Sequence, residues 1–249
     1  MTKPKLCLLF RDQLCKEFIQ KYTKILNYYD IVERENADIL VPIGGDGYLL
    51  KSIHRHYHLD KPFFGINRGT VGYLLNSIDD KTELPFSFNI VECNLMNATI
   101  QYGYEGKQIL SHIFFNDVYL NSKPGTISYF EIRGDKYPIK VVRGDGIIIS
   151  TPQGSTAYNY NAGGNILPLG KDILSITENN SGKRGSDVVD SNQKIEIFVT
   201  RGNAVVHIDN YEVIDVKSVE INKTDLKVRL LFLQSENFEM KRYLMRTYK

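Results

Sequence analysis

The sequence predicts an N-terminal α/β domain with a parallel sheet, followed by an all-β, sandwich-like domain. Three observations carry that expectation. Over the first ninety or so residues, short apolar runs alternate with apolar faces at helical spacing. From about residue 95 the runs are strand-like, closely spaced and separated by polar or glycine turns. The 249 residues are long enough for two cores, and a hydrophobic share of 42% with 24% charged residues is ordinary for a soluble globular chain. The expected division is 1–95, then 96–234, with the tail 235–249 a final helix or an arm that packs back on the first domain.

Taken in order, "KLCLLF" is a first strand, and Leu14, Phe18, Tyr22, Ile25 and Leu26 mark one face of a helix after it. "ADILVPI" is a second strand that runs into a glycine turn, and Leu49, Leu50, Ile53 and Tyr57 continue as a helical face. "KPFFGINRGTVGYLL" supplies a third strand and a second glycine-bearing turn. Parallel strands joined this way bind ligands at their carboxyl ends, where both turns fall. The β half reads as "HIFFNDVYL", "TISYFEI", "YPIKVV", "GIIIS", "KIEIFVT", "AVVHID" and "LKVRLLFL". Within it, "EIRGDKYPI" and "VTRGNAVV" look like hairpins, and "GSTAYNYNAGG" suggests one short helix.

Composition excludes several function classes. Thirty-one Lys and Arg against 29 Asp and Glu leave a formal charge of +2, too balanced for nucleic-acid or membrane-surface binding. Cys7, Cys15 and Cys93 form no CxxC pair, which argues against a disulfide framework and a zinc site. No apolar run reaches the ~20 residues of a membrane span, and the apolar core near the N-terminus is too short for a secretory signal. A reducing cytoplasm is expected. His54 and His58 are four apart, but no third ligand is evident, so no metal site is assigned to them. Lys183 and Arg184 read as a solvated loop rather than a phosphate site.

Three motifs carry chemistry. In "GGDG", Gly44 and Gly45 let backbone N–H groups approach phosphate, and Asp46 can hold a metal bridging the phosphates, take a proton from a hydroxyl or simply cap the helix. The second is "VVRGDGIIISTPQGSTAYN": its Gly-Asp-Gly alone suits a hairpin turn, while Thr156 and Tyr158 offer a hydroxyl and a ring face for a nucleotide. The third, "FFNDVYL", sets Asn116 and Asp117 inside an apolar strand, where they need partners from a ligand or a neighbouring loop. The chain has no GxxxxGK[ST] phosphate loop, no GxGxxG after a strand and no GxSxG elbow.

In their order and spacing, "GGDG", "GINRGTVGYL", "FFND" and "RGDG…STPQGSTAYN…AGG" resemble the NAD kinases over roughly residues 37–230. The resemblance implies the fold shared with diacylglycerol kinases, and phosphorylation of the adenosine-ribose 2′-hydroxyl of NAD to give NADP. ATP, another triphosphate or polyphosphate would be the donor, with Mg²⁺. It makes Asp46 the proton acceptor and places Gly47 and Tyr73 against the nucleotide. Asn116 and Asp117 would hold adenine and ribose, and Arg143, Asp145, Thr156, Ala157, Tyr158, Asn161 and Asp209 are further substrate-binding positions. It also implies a homodimer or homotetramer packed through the β half, and a site in a cleft between the domains. The chain departs from the family pattern at Tyr48, where Thr or Ser is usual, at Asn161, usually Ser, and at Asp209-Asn210-Tyr211, usually Asp-Gly-Gln. The alternatives are a lipid or other small-alcohol kinase sharing the GGDG turn, and a non-catalytic dinucleotide sensor in which the altered residues have cost catalysis while binding survives.

Overall fold

Short, largely apolar runs form the first strands, and the run Leu40–Ile43 at the centre is buried throughout. In the first part of the chain these are β1 (Lys5–Phe10), β2 (Asp30–Ile31), β3 (Ile39–Gly44) and β4 (Ile66–Asn67). They make one sheet in the order β2-β1-β3-β4, and every pair is parallel. The computed structural model describes residues 3–10, 27–79, 82, 85–182, 185–235 and 237–247. The helix expected over Leu14 to Leu26 lies outside the described residues, as do Cys15, Lys183 and Arg184. The next crossover is α1 (Asp46–His56), which starts directly from the glycine turn after β3 and buries Leu49, Leu50 and Ile53. Val41, Ile43 and Ile66 of this sheet, with Phe64 just before β4, share an apolar cluster with Leu231 and Leu233 from far along the chain.

That last contact corrects the expected boundaries. The chain divides into Met1–Cys93 with Lys227–Lys249, and Asn94–Leu226, so both breaks fall inside long strands, β5 (Phe88–Tyr102) and β15 (Tyr211–Leu233). The end of β15 belongs to the first unit because its backbone is bonded there. Phe63 N–H donates to Arg229 O at 2.8 Å, and Leu231 N–H donates to Phe63 O at 2.9 Å. The tail is a helix, α3 (Phe238–Thr247), in the same unit, with the Phe238 ring stacked on Phe232 at 4.3 Å.

The second unit holds β6 (Gln108–Phe114), β7 (Asp117–Ser122), β8 (Ser128–Gly134), β9 (Tyr137–Gly144) and β10 (Gly146–Ser150). The short helix α2 (Tyr158–Asn161) comes next, then β11 (Ile173–Asn179), β12 (Ser186–Asp190), β13 (Ile195–Arg201) and β14 (Ala204–Ile208). The strands run β12-β11-β10-β7-β14-β15-β13-β8-β9, antiparallel at each pairing, around a core that includes Phe114, Leu120, Phe130, Ile147 and Ile197. Side chains join the two ends of that order. Tyr137 of β9 donates its hydroxyl to Asp187 of β12 at 2.7 Å, and Lys140 pairs with Asp187 and with Glu178.

Three strand expectations are corrected. "HIFFNDVYL" is two strands, broken at Phe115 and Asn116. "VTRGNAVV" is no hairpin: β13 and β14 do not pair with each other but lie on either side of β15. "RGDG" is no hairpin either, since β9 and β10 are not neighbours. "EIRGDKYPI" is one, closing Gly134 against Tyr137.

Candidate functional site

In the first unit the glycine turn and the loop after β4 are bonded together. Arg68 N–H donates to Gly44 O at 2.8 Å. Asn67 fixes the loop from within, accepting from Gly69 N–H and donating to Val71 O. Gly72 sits at φ +79°, a conformation that excludes most side chains. The Asp46 carboxylate reaches this loop, taking the N–H of Tyr73 on one oxygen and of Leu74 on the other, both at 2.9 Å. The helix-cap reading of Asp46 therefore fails: the N-cap is Gly45, with no side-chain cap bond. Burial pushes the Asp46 carboxyl up, while the two N–H bonds and the charges of Arg242 and Lys241 pull it down, leaving it above its ordinary value. Its oxygens keep lone pairs for one more donor.

Gly45 and Gly47 have ordinary negative φ, and a Cβ added at either would meet nothing within 4 Å. Neither backbone conformation nor packing within the chain requires glycine there. Room for something to approach the backbone is the remaining physical reason. Gly44 is different, because the Tyr48 side chain lies over it, with atoms 3.0–3.3 Å from where a Cβ would stand.

The second unit builds a polar turn around the break between β6 and β7. Asp209, in the left-handed region at φ 50°, takes the N–H groups of Phe115 (2.7 Å), Asn116 (2.9 Å) and Asp117 (3.1 Å) on its carboxylate. The sequence resemblance put Asp209 on the substrate; in the fold its carboxylate holds the backbone that presents Asn116 and Asp117. The segment after β10 is tied to the same turn: Thr151 N–H and Oγ1 bond Asn116 O, and Gln153 donates to Phe115 O at 2.7 Å. Gly154 has to be glycine, since a Cβ would come 2.1 Å from Asn116 O.

What this framework presents is under-satisfied. Asn116 Oδ1 is buried and accepts no hydrogen bond among the described residues. Asp117 is 5% exposed, and burial, then the neighbouring Asp209 charge, push its carboxyl up to about 8. Thr156 is buried, and Ala157 and Tyr158 are half-buried in the same segment. Tyr158 accepts from Asn179 at 3.0 Å, and its ring is 4.7 Å from Tyr119, which stacks on His207 at 4.4 Å.

Arg143 and Asp145 are exposed, and Asp145 accepts from Asn180 at 2.8 Å. The glycines flanking Asp145 answer to strand packing: a Cβ on Gly146 would meet Leu120 O at 2.1 Å, and one on Gly144 would meet Asn179 O at 2.8 Å. Asn161 is exposed. Among the described residues no group of three or more His, Cys, Asp or Glu is placed to hold a metal, and no helix is long and apolar enough to cross a membrane. Sequence reasoning passed over Thr151, Gln153, Asn159 and Asn76, all buried and bonded to backbone. A polar residue in an apolar or small-residue run was the available signal.

Residues 115–229 match the family model described as the ATP-NAD kinase C-terminal domain. The NAD kinase of Rickettsia bellii (strain OSU 85-389) is 32% identical over 249 residues, covering 96% of each chain. That of Rickettsia prowazekii (strain Madrid E) is 36% identical over 161 residues, 64% of this chain and 62% of its own. Among solved structures, yeast NADH kinase complexed with NADH superposes with a TM-score of 0.73 at 14% identity, covering 97% of this chain and 86% of that one. An NAD kinase from Archaeoglobus fulgidus in complex with ATP gives 0.70 at 20% identity, over 97% and 99%.

Proposed function

Because this chain belongs to the NAD kinase family, we propose that it transfers a phosphoryl group from ATP to the adenosine-ribose 2′-hydroxyl of NAD, giving NADP and ADP. The observation that carries this reading is the pair at the β6–β7 break, the buried Oδ1 of Asn116 and the buried Asp117. Among the described residues Asn116 Oδ1 accepts no hydrogen bond, and burial and the Asp209 charge are what act on the Asp117 carboxyl. A buried acceptor left open beside a carboxyl that burial penalises, in a framework this firmly bonded, calls for donors from a ligand. The amino group of adenine and the hydroxyls of ribose supply them. Thr156, Ala157 and Tyr158 complete the nucleotide contacts in this reading.

Asp46 is the proton acceptor. A carboxyl held above its ordinary value is a better base than an exposed one, and its two N–H bonds fix its direction. The ribose oxygen forms a bond to the γ-phosphorus, the bond from that phosphorus to the ADP oxygen breaks, and the hydroxyl proton goes to Asp46. The open backbone at Gly45 and Gly47 leaves room for the phosphates. A divalent ion such as Mg²⁺ neutralises charge on the donor phosphates when bound. The assembly is proposed to be a homodimer or homotetramer through the second unit, whose end strands expose Ile139, Val141 and Val188.

The test is NADP formation from NAD and ATP with Mg²⁺, followed by a coupled dehydrogenase. Asp46→Asn should lower kcat by about 10²–10⁴-fold with NAD affinity within ~3-fold of the wild type. Wild-type NAD binding without turnover would make the protein a sensor. No NAD binding at all would move it to the small-alcohol kinases.

A further inference from the structure

We propose that the C-terminal helix is part of the phosphoryl-transfer machinery, with Lys241 and Arg246 as positioning residues for the loop that holds Asp46; this rests on the role given to Asp46 above. The chain of contacts is short and lies wholly in the first unit. Tyr73 and Leu74 give their N–H groups to the Asp46 carboxylate. The residues around that pair are gripped from α3. Lys241 Nζ donates to Ser77 Oγ at 3.0 Å and to Leu75 O at 3.4 Å. Arg246 Nη1 reaches the Tyr73 hydroxyl at 3.4 Å, and its guanidinium lies 5.6 Å from the centre of the Tyr73 ring. Between them, Arg242 is 0% exposed and ion-paired with Glu239 at 3.0 Å.

The same loop is fastened from its other side. Asn76 is 1% exposed, donates to Gly65 O and Leu231 O, and accepts from Leu233 N–H. Asn76 fixes the middle of the loop, and its side chain makes no bond to Tyr73 or Ser77. Lys241 and Arg246 hold those two ends. A helix needed only to cover the sheet would do so with apolar side chains, because burying a guanidinium carries a desolvation penalty of several kcal/mol. Here Arg242 is paired with Glu239 on the helix itself, and the polar contacts of Lys241 and Arg246 go to the loop that bonds the proton acceptor. Their charge also has the sign that favours an ionised Asp46, as the influence of Arg242 and Lys241 on that carboxyl shows.

A positioning role separates from a structural one in kinetics and in amide exchange. In Lys241→Met, kcat should fall on the order of tenfold with the KM for ATP little changed, since a misplaced base costs rate rather than ground-state binding. Lys241→Arg, which keeps donors and charge, should recover most of it. Arg246→Gln should raise the KM for NAD about fivefold, because the Tyr73 ring loses its support. Lys227→Met, which breaks an exposed pair with Glu92 in the same unit, is the control and should leave kcat unchanged. Independently of turnover, hydrogen exchange at the Tyr73 and Leu74 amides should speed up about tenfold in Lys241→Met, with the strand amides of β3 unaffected. Should Lys241→Met fail to fold, Ser77→Ala removes one Lys241 acceptor and should show the same change more weakly. Wild-type exchange at those two amides overturns the proposal, and so does a kcat loss that Lys241→Arg does not recover. A wild-type protein that makes no NADP defeats the assigned reaction but not the clamp, which the exchange rates judge alone.

Discussion

Asp117 is the residue at which the energetics of the site are most exposed to measurement. An unfolded aspartate gives up its proton near pH 4, whereas burial and the Asp209 charge raise Asp117 to about 8 in the folded chain. Across that window the folded state binds more protons than the unfolded one, so stability falls as pH rises. The contribution is fully present only below the unfolded value and is lost by the time the folded value is passed. The ligand-free protein should therefore melt at a lower temperature at pH 8 than at pH 5, and Asp117→Asn should flatten that slope. Melting curves at several pH values decide it: parallel slopes in both proteins would mean that the carboxylate ionises normally in the fold. The same raised carboxyl is what a ligand with hydroxyl and amino donors would relieve, so under the proposed function the stability penalty and the binding role would be one feature.

At the scale of elements, the turn between β6 and β7 shows what a sequence can and cannot disclose. "FFND" was legible as a place where polar groups need partners, and they do. The break in the strand was not, because it is enforced by Asp209, more than ninety positions away, whose carboxylate takes three consecutive N–H groups. Asp209→Ala should destabilise the protein by about 2 kcal/mol, the order expected for stranding buried donors. It should also raise the KM for NAD several-fold by letting Asn116 and Asp117 move. Urea unfolding and steady-state kinetics check both; a variant with weakened NAD binding and full stability would return Asp209 to direct ligand contact. Other differences share this cause. The glycines around Asp145 suited a hairpin turn, yet Gly146 is dictated by Leu120 O on the adjacent strand. "VTRGNAVV" has hairpin chemistry, but its two strands each find a better partner in β15. Alternation, glycine turns and helix faces are local and were readable; partner choice in a large antiparallel sheet is not local.

For the whole molecule, the consequence lies in the order of the chain. The unit with the glycine turn is assembled from both ends of the sequence, while Asn94–Leu226 is continuous and encloses its own core. A fragment spanning 94–226 keeps the pairings from β6 to β14, the Asp209 turn and the Tyr137–Asp187 link between end strands. A fragment spanning 1–93 lacks Arg229 O and Leu231 N–H for Phe63, lacks Leu231 and Leu233 in its core, and leaves Asn76 without its partners on β15. Several buried hydrogen bonds and two core leucines exceed what a domain of that size has in reserve. Expressed separately, 94–226 should unfold cooperatively with dispersed amide resonances, and 1–93 should not. Adding a peptide of residues 227–249 to 1–93 should restore dispersion if the missing strand and helix are the cause. A folded 1–93 on its own would show that the last strand and α3 decorate that unit rather than complete it, and would weaken the case for a C-terminal helix that bears on Asp46.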